Sequence, residues 1–442
     1  MANRHILKTL DKVIEYGWLT VVLAVPLYFN VYSQRVFEPD KVALFRSIVG
    51  IMALAWVIKG LEKRLLGTAP AGLGIQRPEG PGLQSGQSNK GGYNLVGQAP
   101  SPLPWLVLAL AGVYLLSTAT ALSPRISFWG SYEWRQGAYT FLCYIALFLI
   151  IARNLRSEAQ MTRLVTAVLY ASLPISLYGI SQYLGLDPLP WQWTAIGRAF
   201  STMGHPNFLG AYLTMVIPLT ATRLLASPSW IGRLRYVLLI LLQLGCLLLT
   251  FSRSSWLALT VSALVFAFLL AFPMARGRFF VLVALLASLL LIMAALAYLD
   301  PKGIFSYSPL EPLHSFLRGK SATARIRALT WEGATQLIAA RPFLGYGPES
   351  FPLAFPRVYP PQLAVYGGLM ATGEHAHNEE LDLSISVGLL GTAVYLLVLT
   401  EVFRQGWRAL RHVTPMANTI IGLLSGITAY LIQNQLSFAT TA

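Results

Sequence analysis

YVLLILLQLGCLLLTFSRSSWLALTVSALVFAFLLAFPM, residues 236–274, decides the fold of this chain. It carries one charged side chain, Arg253, and the apolar runs on either side, 236–251 and 254–274, are of the length that crosses ~30 Å of hydrocarbon. Runs of the same kind follow one another along the sequence, at 14–32, 42–59, 104–122, 138–152, 163–185, 205–222, 279–299, 380–403 and 417–437. The expectation is an all-α integral membrane protein with about eleven transmembrane helices. Composition agrees: of 442 residues 55% are hydrophobic and only 12% charged, so two or three water-soluble domains are excluded and the apolar surface faces lipid.

The 33 lysines and arginines give the orientation, because short translocated loops lack them while cytoplasmic loops keep them. With the N-terminus in the cytoplasm, 19 of them fall on the cytoplasmic side, from Arg4, Lys8 and Lys12 through Arg153, Arg163 and Arg223 to Arg404, Arg408 and Arg411. Seven more lie in the long external segment 300–376, where the rule has little force. The net charge of +15 is spread over the turns beside apolar spans, which fits anionic membrane lipids and not nucleic acid. Cys143 and Cys246 fall within expected spans, which excludes a disulfide framework and a cysteine metal site. The first apolar stretch ends in Phe29-Asn30 and reads as a retained helix, not a cleaved signal.

This divides the chain into the first two helices at 1–66, a flexible cytoplasmic loop at 67–103, helices three to nine at 104–299, a large extracytoplasmic loop at 300–376, and helices ten and eleven at 377–442. The 67–103 segment is rich in Gly, Pro, Ser, Gln and Asn and cannot bury enough apolar surface to fold. The 300–376 loop carries aromatics, prolines, arginines and a helical stretch over Ser321–Ala340, which makes it a candidate lid or substrate platform.

Chemistry concentrates in 374–391, EHAHNEELDLSISVGLLG, which opens the tenth span from its outer face. Ionisable groups at that depth are costly, so Glu379, Glu380 and Asp382 point to function, although acidic residues also suit a helix N-terminus. On helical spacing Ser384, Gly388 and Gly391 share a face with His377, and their small size is expected to let a neighbouring helix approach beneath the imidazole. The positive end of that helix disfavours imidazolium and leaves His377 as a candidate general base. The plainer reading is a histidine held by hydrogen bonds at the interface. Glu374, His375, His377 and Glu379 are crowded but match no standard ligand spacing, and no metal is expected.

Two arginines sit at outer-face turns, Arg198 before span six and Arg253 between spans seven and eight. Planar bidentate guanidinium donors suit phosphate oxygens, so together they point to an anionic headgroup such as a diphosphate; singly, each also fits snorkelling or pairing with Glu133 or Asp382. Gly345-Tyr346-Gly347 reads as a turn after Pro342, and the aromatic run Phe128–Arg135 as an interfacial belt, with sugar stacking as its alternative.

His377-Asn378, nine residues and then Gly388-Leu-Leu-Gly391 resembles the signature of the O-antigen ligase and polymerase superfamily. It is joined in order by Arg198 with Gly204-His-Pro-Asn207, by Ser252-Arg253-Ser254, and by Arg327 through Trp331 to Pro342–Gly347, so that the resemblance covers about 195–395. The resemblance implies transfer of a glycan from an undecaprenyl diphosphate carrier to an acceptor hydroxyl of lipid A core, glycan or protein. The reaction would occur at the outer face of the bacterial cytoplasmic membrane, inverting and without nucleotide, metal or other cofactor. It implies that Arg198 and Arg253 bind the diphosphate, that His377 positions or deprotonates the acceptor, and that Asn378, Glu380, Arg327, His375, Gly388 and Gly391 support them. The family usually has twelve spans, so eleven imply a twelfth helix past Ala442, or a C-terminal repeat domain as in some relatives. The rival function is a transporter for a small anion such as bicarbonate, for which broken mid-membrane helices and internal repeats would be expected; neither is visible in the sequence. An inactive scaffold retaining the fold is a third.

Overall fold

The computed structural model describes residues 2–65, 101–189, 191, 197–271, 322–367, 373–411, 416–435 and 437. The described residues form helices and turns, with no strand. Among the described residues the long helices of the bundle are α1 (Ala2–Leu27), α2 (Glu38–Leu65), α3 (Leu103–Ala119), α5 (Ala138–Asn154), α6 (Glu158–Tyr183), α7 (Pro206–Ala226), α8 (Trp230–Leu249), α9 (Arg253–Ala271), α13 (Glu379–Leu410) and α14 (Ala417–Asn434). Between α3 and α5 lies the short α4 (Pro124–Trp129), and before α13 lie α10 (Ala322–Ala340), α11 (Phe351–Ala354) and α12 (Gln362–Gly367). Among the described residues six helices, α2, α6, α7, α8, α9 and α13, are long and apolar enough to cross a membrane, and α3 and α5 are shorter apolar helices. The expected ninth span at 279–299 and nearly all of the 67–103 loop lie outside the described residues.

Helix α7 is the central member. Its Leu209, Leu213 and Val216 are buried against Ile175 of α6 and Cys246 and Leu247 of α8. Small residues set its other contacts: Gly210 faces Ser255 of α9, and Gly426 of α14 comes so close that a Cβ there would lie 2.9 Å from the Met215 carbonyl oxygen. In lipid, where apolar surface gives helices little reason to associate, backbone approach of this kind is what holds them. A second cluster joins α1, α2 and α5 through Trp18, Met52 and Ile150, and a third joins α3 to α13 through Tyr114 and Val387.

Between the helices Gln243 of α8 donates to Ser172 of α6 at 2.9 Å and Ser262 of α9 to the Ser425 carbonyl of α14 at 2.8 Å, while charged side chains are engaged near both ends of the bundle. At one end Lys59 pairs with Asp11 and donates to Asn154 at 2.6 Å, Arg163 pairs with Glu15, and Arg223 reaches the Thr162 carbonyl. At the other, Arg35 pairs with Glu133, the buried Lys41 donates to the Thr202 carbonyl at 3.0 Å, and Arg46 donates to the carbonyls of Trp129 and Arg135. The second end is also where α10 to α12 gather around Leu337, Phe351 and Phe355. That small apolar cluster includes Ala376 and Ile385, so it is packed directly onto the head of α13.

Candidate active site

The head of α13 differs from its sequence-based expectation in two ways. The helix starts at Glu379, with the Asn378 side chain capping it by accepting from the Leu381 N–H at 3.0 Å. His377 therefore precedes the helix, with a φ of 53°, and shares no helical face with Ser384, Gly388 and Gly391. A left-handed backbone is uncommon for a residue with a Cβ and persists only where neighbours enforce it. Here they do. The Ala376 N–H donates to Asp382 at 2.8 Å, and the Ala376 carbonyl accepts from the Trp331 indole of α10 at 2.9 Å. Asp382 also lies 3.7 Å from Nδ1 of His375, whose ring meets the edge of Trp134 at 5.3 Å. Held on both sides, the Glu374–Asn378 segment turns His377 outward.

The second difference is at Gly388, which breaks α13 with φ 71° and ψ 177°. What approaches there is not a neighbouring helix but the backbone of the Pro342–Gly347 turn: a Cβ on Gly388 would fall onto the Phe343 carbonyl and 2.6 Å from the Leu344 nitrogen. The freed helical groups are satisfied by that turn. Tyr346 N–H donates to the Ile385 carbonyl at 2.8 Å, Gly347 N–H to that of Ser386 at 2.9 Å, and Leu389 N–H to that of Pro342 at 2.7 Å. An inserted chain is one of the recognised causes of a sharp helix break. A Cβ on Gly391, one turn on, would fall onto the Val387 side chain of α13 itself and lie 3.3 Å from Val113 of α3. Asn378 and Glu380 bind α14 instead of the cavity, through the Gln435 carbonyl at 3.2 Å and the Gln435 amide at 2.7 Å.

Arg198 donates to the carbonyls of Thr250 at 2.8 Å and Phe251 at 3.3 Å, at the C-terminal end of α8, where a cation offsets the negative end of the helix dipole. Glu133 and Asp382, the alternative partners weighed for the arginines, engage Arg35 and the His375–Ala376 segment. Arg253 opens α9 in a turn stitched by hydroxyls: Ser252 Oγ donates to Asn207 at 2.9 Å and accepts from Ser255 at 2.7 Å.

The basic groups form an electrostatic ring. Burial and then Arg253 lower the proton affinity of both Arg198 and Arg327. Burial, then Arg327 and His375, hold His377 down to about 4 against the opposing pull of Asp382; burial, then Arg198 and His377, hold His205 down to about 4 as well. Both imidazoles are thus neutral near pH 7, as a proton acceptor must be. His375 has the opposite environment: burial works against its charge, but the hydrogen bond and charge of Asp382, with Glu349 and Glu379 behind it, leave its pKa raised. Two histidines two residues apart therefore differ in readiness to protonate. No group of three or more His, Cys, Asp or Glu side chains placed to hold a metal occurs among the described residues.

His205, His375 and His377 open onto a cavity of about 720 Å³, whose lining also includes residues of the Val31–Glu38 segment together with Glu133, Trp134 and Trp191. Sequence reasoning passed over His205, Arg35, Glu38 and Trp191. His205 stood in the quoted Gly204–Asn207 motif and could have been found there; Glu38 and Trp191 carry no local signal and are brought in by folding. Of the aromatic run 128–135, Trp129 and Tyr132 are exposed, while Glu133 and Trp134 line the cavity.

Residues 238–396 match the family model described as O-antigen ligase. Over that stretch the chain is similar to the O-antigen ligase superfamily. The match contains Arg253, Arg327 and the whole segment from His375 to Gly391, and it begins downstream of Arg198 and His205. A comparison with curated proteins found no match.

Proposed function

We propose that this protein transfers a glycan from a lipid-linked diphosphate, of the undecaprenyl type, to an acceptor hydroxyl. The observation that carries the reading is the placement of Arg198 and Arg327, each within electrostatic reach of Arg253, with a neutral His377 beside Arg327 on a cavity wall. The arginines take the diphosphate. As the bond from the anomeric carbon to the phosphate oxygen breaks, the electron pair passes to that oxygen and the guanidinium groups hold the developing charge, a contribution of ~10²–10³-fold per donor. His377 accepts the proton of the acceptor hydroxyl as its oxygen attacks the opposite face of the anomeric carbon, inverting it, with general-base help of ~10²–10⁴-fold. Because Arg327 lowers His377, a bound diphosphate that screens Arg327 raises the histidine towards the working pH, so base strength arrives with the donor.

The site end of the bundle is taken as extracytoplasmic and the N-terminus as cytoplasmic, in a multi-pass protein of the bacterial inner membrane serving lipopolysaccharide or related envelope assembly. The acceptor is lipid A core, a second glycan as in polymerisation, or protein. The transporter reading finds no support in the family match. α13 is broken at Gly388, but the turn 342–347 satisfies the interrupted carbonyls, so they do not line an ion path. The test is transfer in cells: His377→Ala and Arg253→Ala should each abolish it with expression intact, and normal transfer by both variants refutes the catalytic assignment.

A further inference from the structure

The segment Gly204-His205-Pro206-Asn207 leads into α7, and its residue types fix one imidazole there. Gly204 takes a φ of 75°, and a Cβ on it would meet the Phe37 ring. Pro206 opens α7, where its missing N–H is no loss, and holds His205 before it in an extended conformation. His205 is the N-cap: its Nδ1 accepts from the Asn207 N–H at 3.1 Å. The Phe208 ring lies against it, with centres 5.1 Å apart. A ring nitrogen that accepts carries no proton, so the one proton of the neutral imidazole sits on Nε2. Among the described residues nothing accepts from Nε2, and His205 is exposed on the wall of the cavity that His377 also lines. Charging the ring would put a second proton on Nδ1, donor against donor at the Asn207 N–H, and the positive end of α7 opposes it further. His205 is therefore an uncharged N–H donor and cannot act as a base. Arg198 and His377 both lie within electrostatic reach of it. Inverting transfer needs a base on one side of the anomeric carbon and stabilisation of oxygen charge on the other. Another cation so close to His377 would weaken the base further, whereas a neutral imidazole at a helix N-terminus polarises an oxygen without adding charge.

We infer that His205 is a second catalytic histidine, which donates its Nε2–H to the phosphate oxygen that leaves the anomeric carbon and keeps its own proton throughout. The inference rests on the transfer reading for the reaction, but not for the contact with a lipid diphosphate. In the step, the bond from the anomeric carbon to that oxygen breaks and its electron pair passes to the oxygen, while the acceptor oxygen bonds to the carbon. The only proton that moves is the acceptor hydroxyl's, and it goes to His377. The two histidines thus offer opposite things to the substrate: His377 a lone pair, His205 a hydrogen held in place by its cap.

Two amide substitutions separate the two nitrogens, because an Asn oxygen falls near the Nδ1 position and a Gln nitrogen near Nε2. His205→Asn keeps the cap and removes the cavity donor; His205→Gln keeps a donor towards the cavity and weakens the cap. With an undecaprenyl-diphosphate oligosaccharide and an acceptor glycan, the purified full chain carrying His205→Asn should melt with the parent at neutral pH. It should nevertheless lose ~10²-fold in kcat, with KM for the donor held within about threefold. His205→Gln should regain at least about tenfold of that kcat while melting lower. A role confined to capping predicts the reverse order, with Asn active and Gln impaired. Nitrogen NMR spectra of histidine-labelled protein in nanodiscs test the contact without turnover. The His205 signals, assigned by their loss in His205→Asn, should show the Nε2–H tautomer, and added undecaprenyl diphosphate should shift Nε2–H and not Nδ1. Parent-like kcat in His205→Asn, no gain from Asn to Gln, an Nδ1–H tautomer, or an Nε2–H signal indifferent to undecaprenyl diphosphate overturns the inference. An Nε2–H that responds to the carrier in a protein that never consumes donor would instead refute the transferase reading and leave the diphosphate contact standing.

Discussion

Replacing Gly388 by alanine probes the joint on which the geometry of the site depends. The residue's φ of 71° and ψ of 177° lie in a region open essentially to glycine alone, which costs a residue with a Cβ about 1–3 kcal/mol. The new Cβ would also fall onto the Phe343 carbonyl, so the Pro342–Gly347 turn must withdraw and give up its three backbone hydrogen bonds to α13, each worth ~0.5–1.5 kcal/mol. Together these give a local destabilisation of roughly 2.5–7.5 kcal/mol. Tyr346, only 3% exposed in the native structure, reports the opening. Chymotrypsin cleavage after Tyr346, under conditions where opening and closing outpace cutting, should rise at least ~60-fold, since each ~1.4 kcal/mol is a factor of ten. Glycan transfer should fall with it, because Ile385 and Ala376 share the cluster that sits on this turn. Cleavage and transfer both unchanged in Gly388→Ala would refute the claim that the turn is inserted into the helix and positions its head.

The remaining predictions follow from individual contacts. Because His377 is held to about 4, kcat/KM should stay flat from pH 8 down to about 5 and fall only as pH approaches 4; a fall centred near 6.5 would contradict the environment described. The same depressed histidines, His205 and His377, leave the unfolded chain binding more protons than the native one between about pH 4 and 6.5, so stability rises with pH through that window; His205→Asn, read by thermal melting, should flatten the slope. Asp382→Ala removes the acceptor of the Ala376 N–H, for ~1–3 kcal/mol, and should cut transfer at least tenfold while donor binding is kept; Asp382→Asn should recover most of the loss. Arg198→Lys keeps the charge but not the two-carbonyl fork on α8, and should raise KM for the donor more than it lowers kcat.

What the sequence disclosed follows from the range of each signal. Hydropathy is a local property, and the apolar runs that predict spans at 42–59, 163–185 and 254–274 lie within α2, α6 and α9 or overlap them closely. The helical stretch expected over Ser321–Ala340 is α10. Residue type also told enough to single out Arg198, Arg253, Arg327 and His377, which the fold brings within electrostatic reach of one another or of a shared neighbour. The geometry between them was not legible. Nothing in HNEELDLSISVG announces that the helix begins after the histidine and breaks at its glycine, because the cause of the break is a turn more than forty residues upstream. Helical spacing applied across Asn378 consequently misassigned the face of His377. Likewise the cavity's aromatic wall joins Phe37, Trp191 and Phe200, three residues with no common pattern, through contacts that exist only after α1, α2, α6 and α7 have packed.

The central claim, that the cation ring and the neutral histidine move a glycan off a lipid diphosphate, is tested most directly by donor consumption. Purified protein is incubated with an undecaprenyl-diphosphate oligosaccharide and an acceptor glycan, and free undecaprenyl diphosphate is measured against time. The account predicts stoichiometric release of the carrier with a sugar-extended acceptor, lost in both His377→Ala and Arg253→Ala. Intact donor after prolonged incubation across acceptors of every class, or release that both variants sustain at the parent rate, would contradict it.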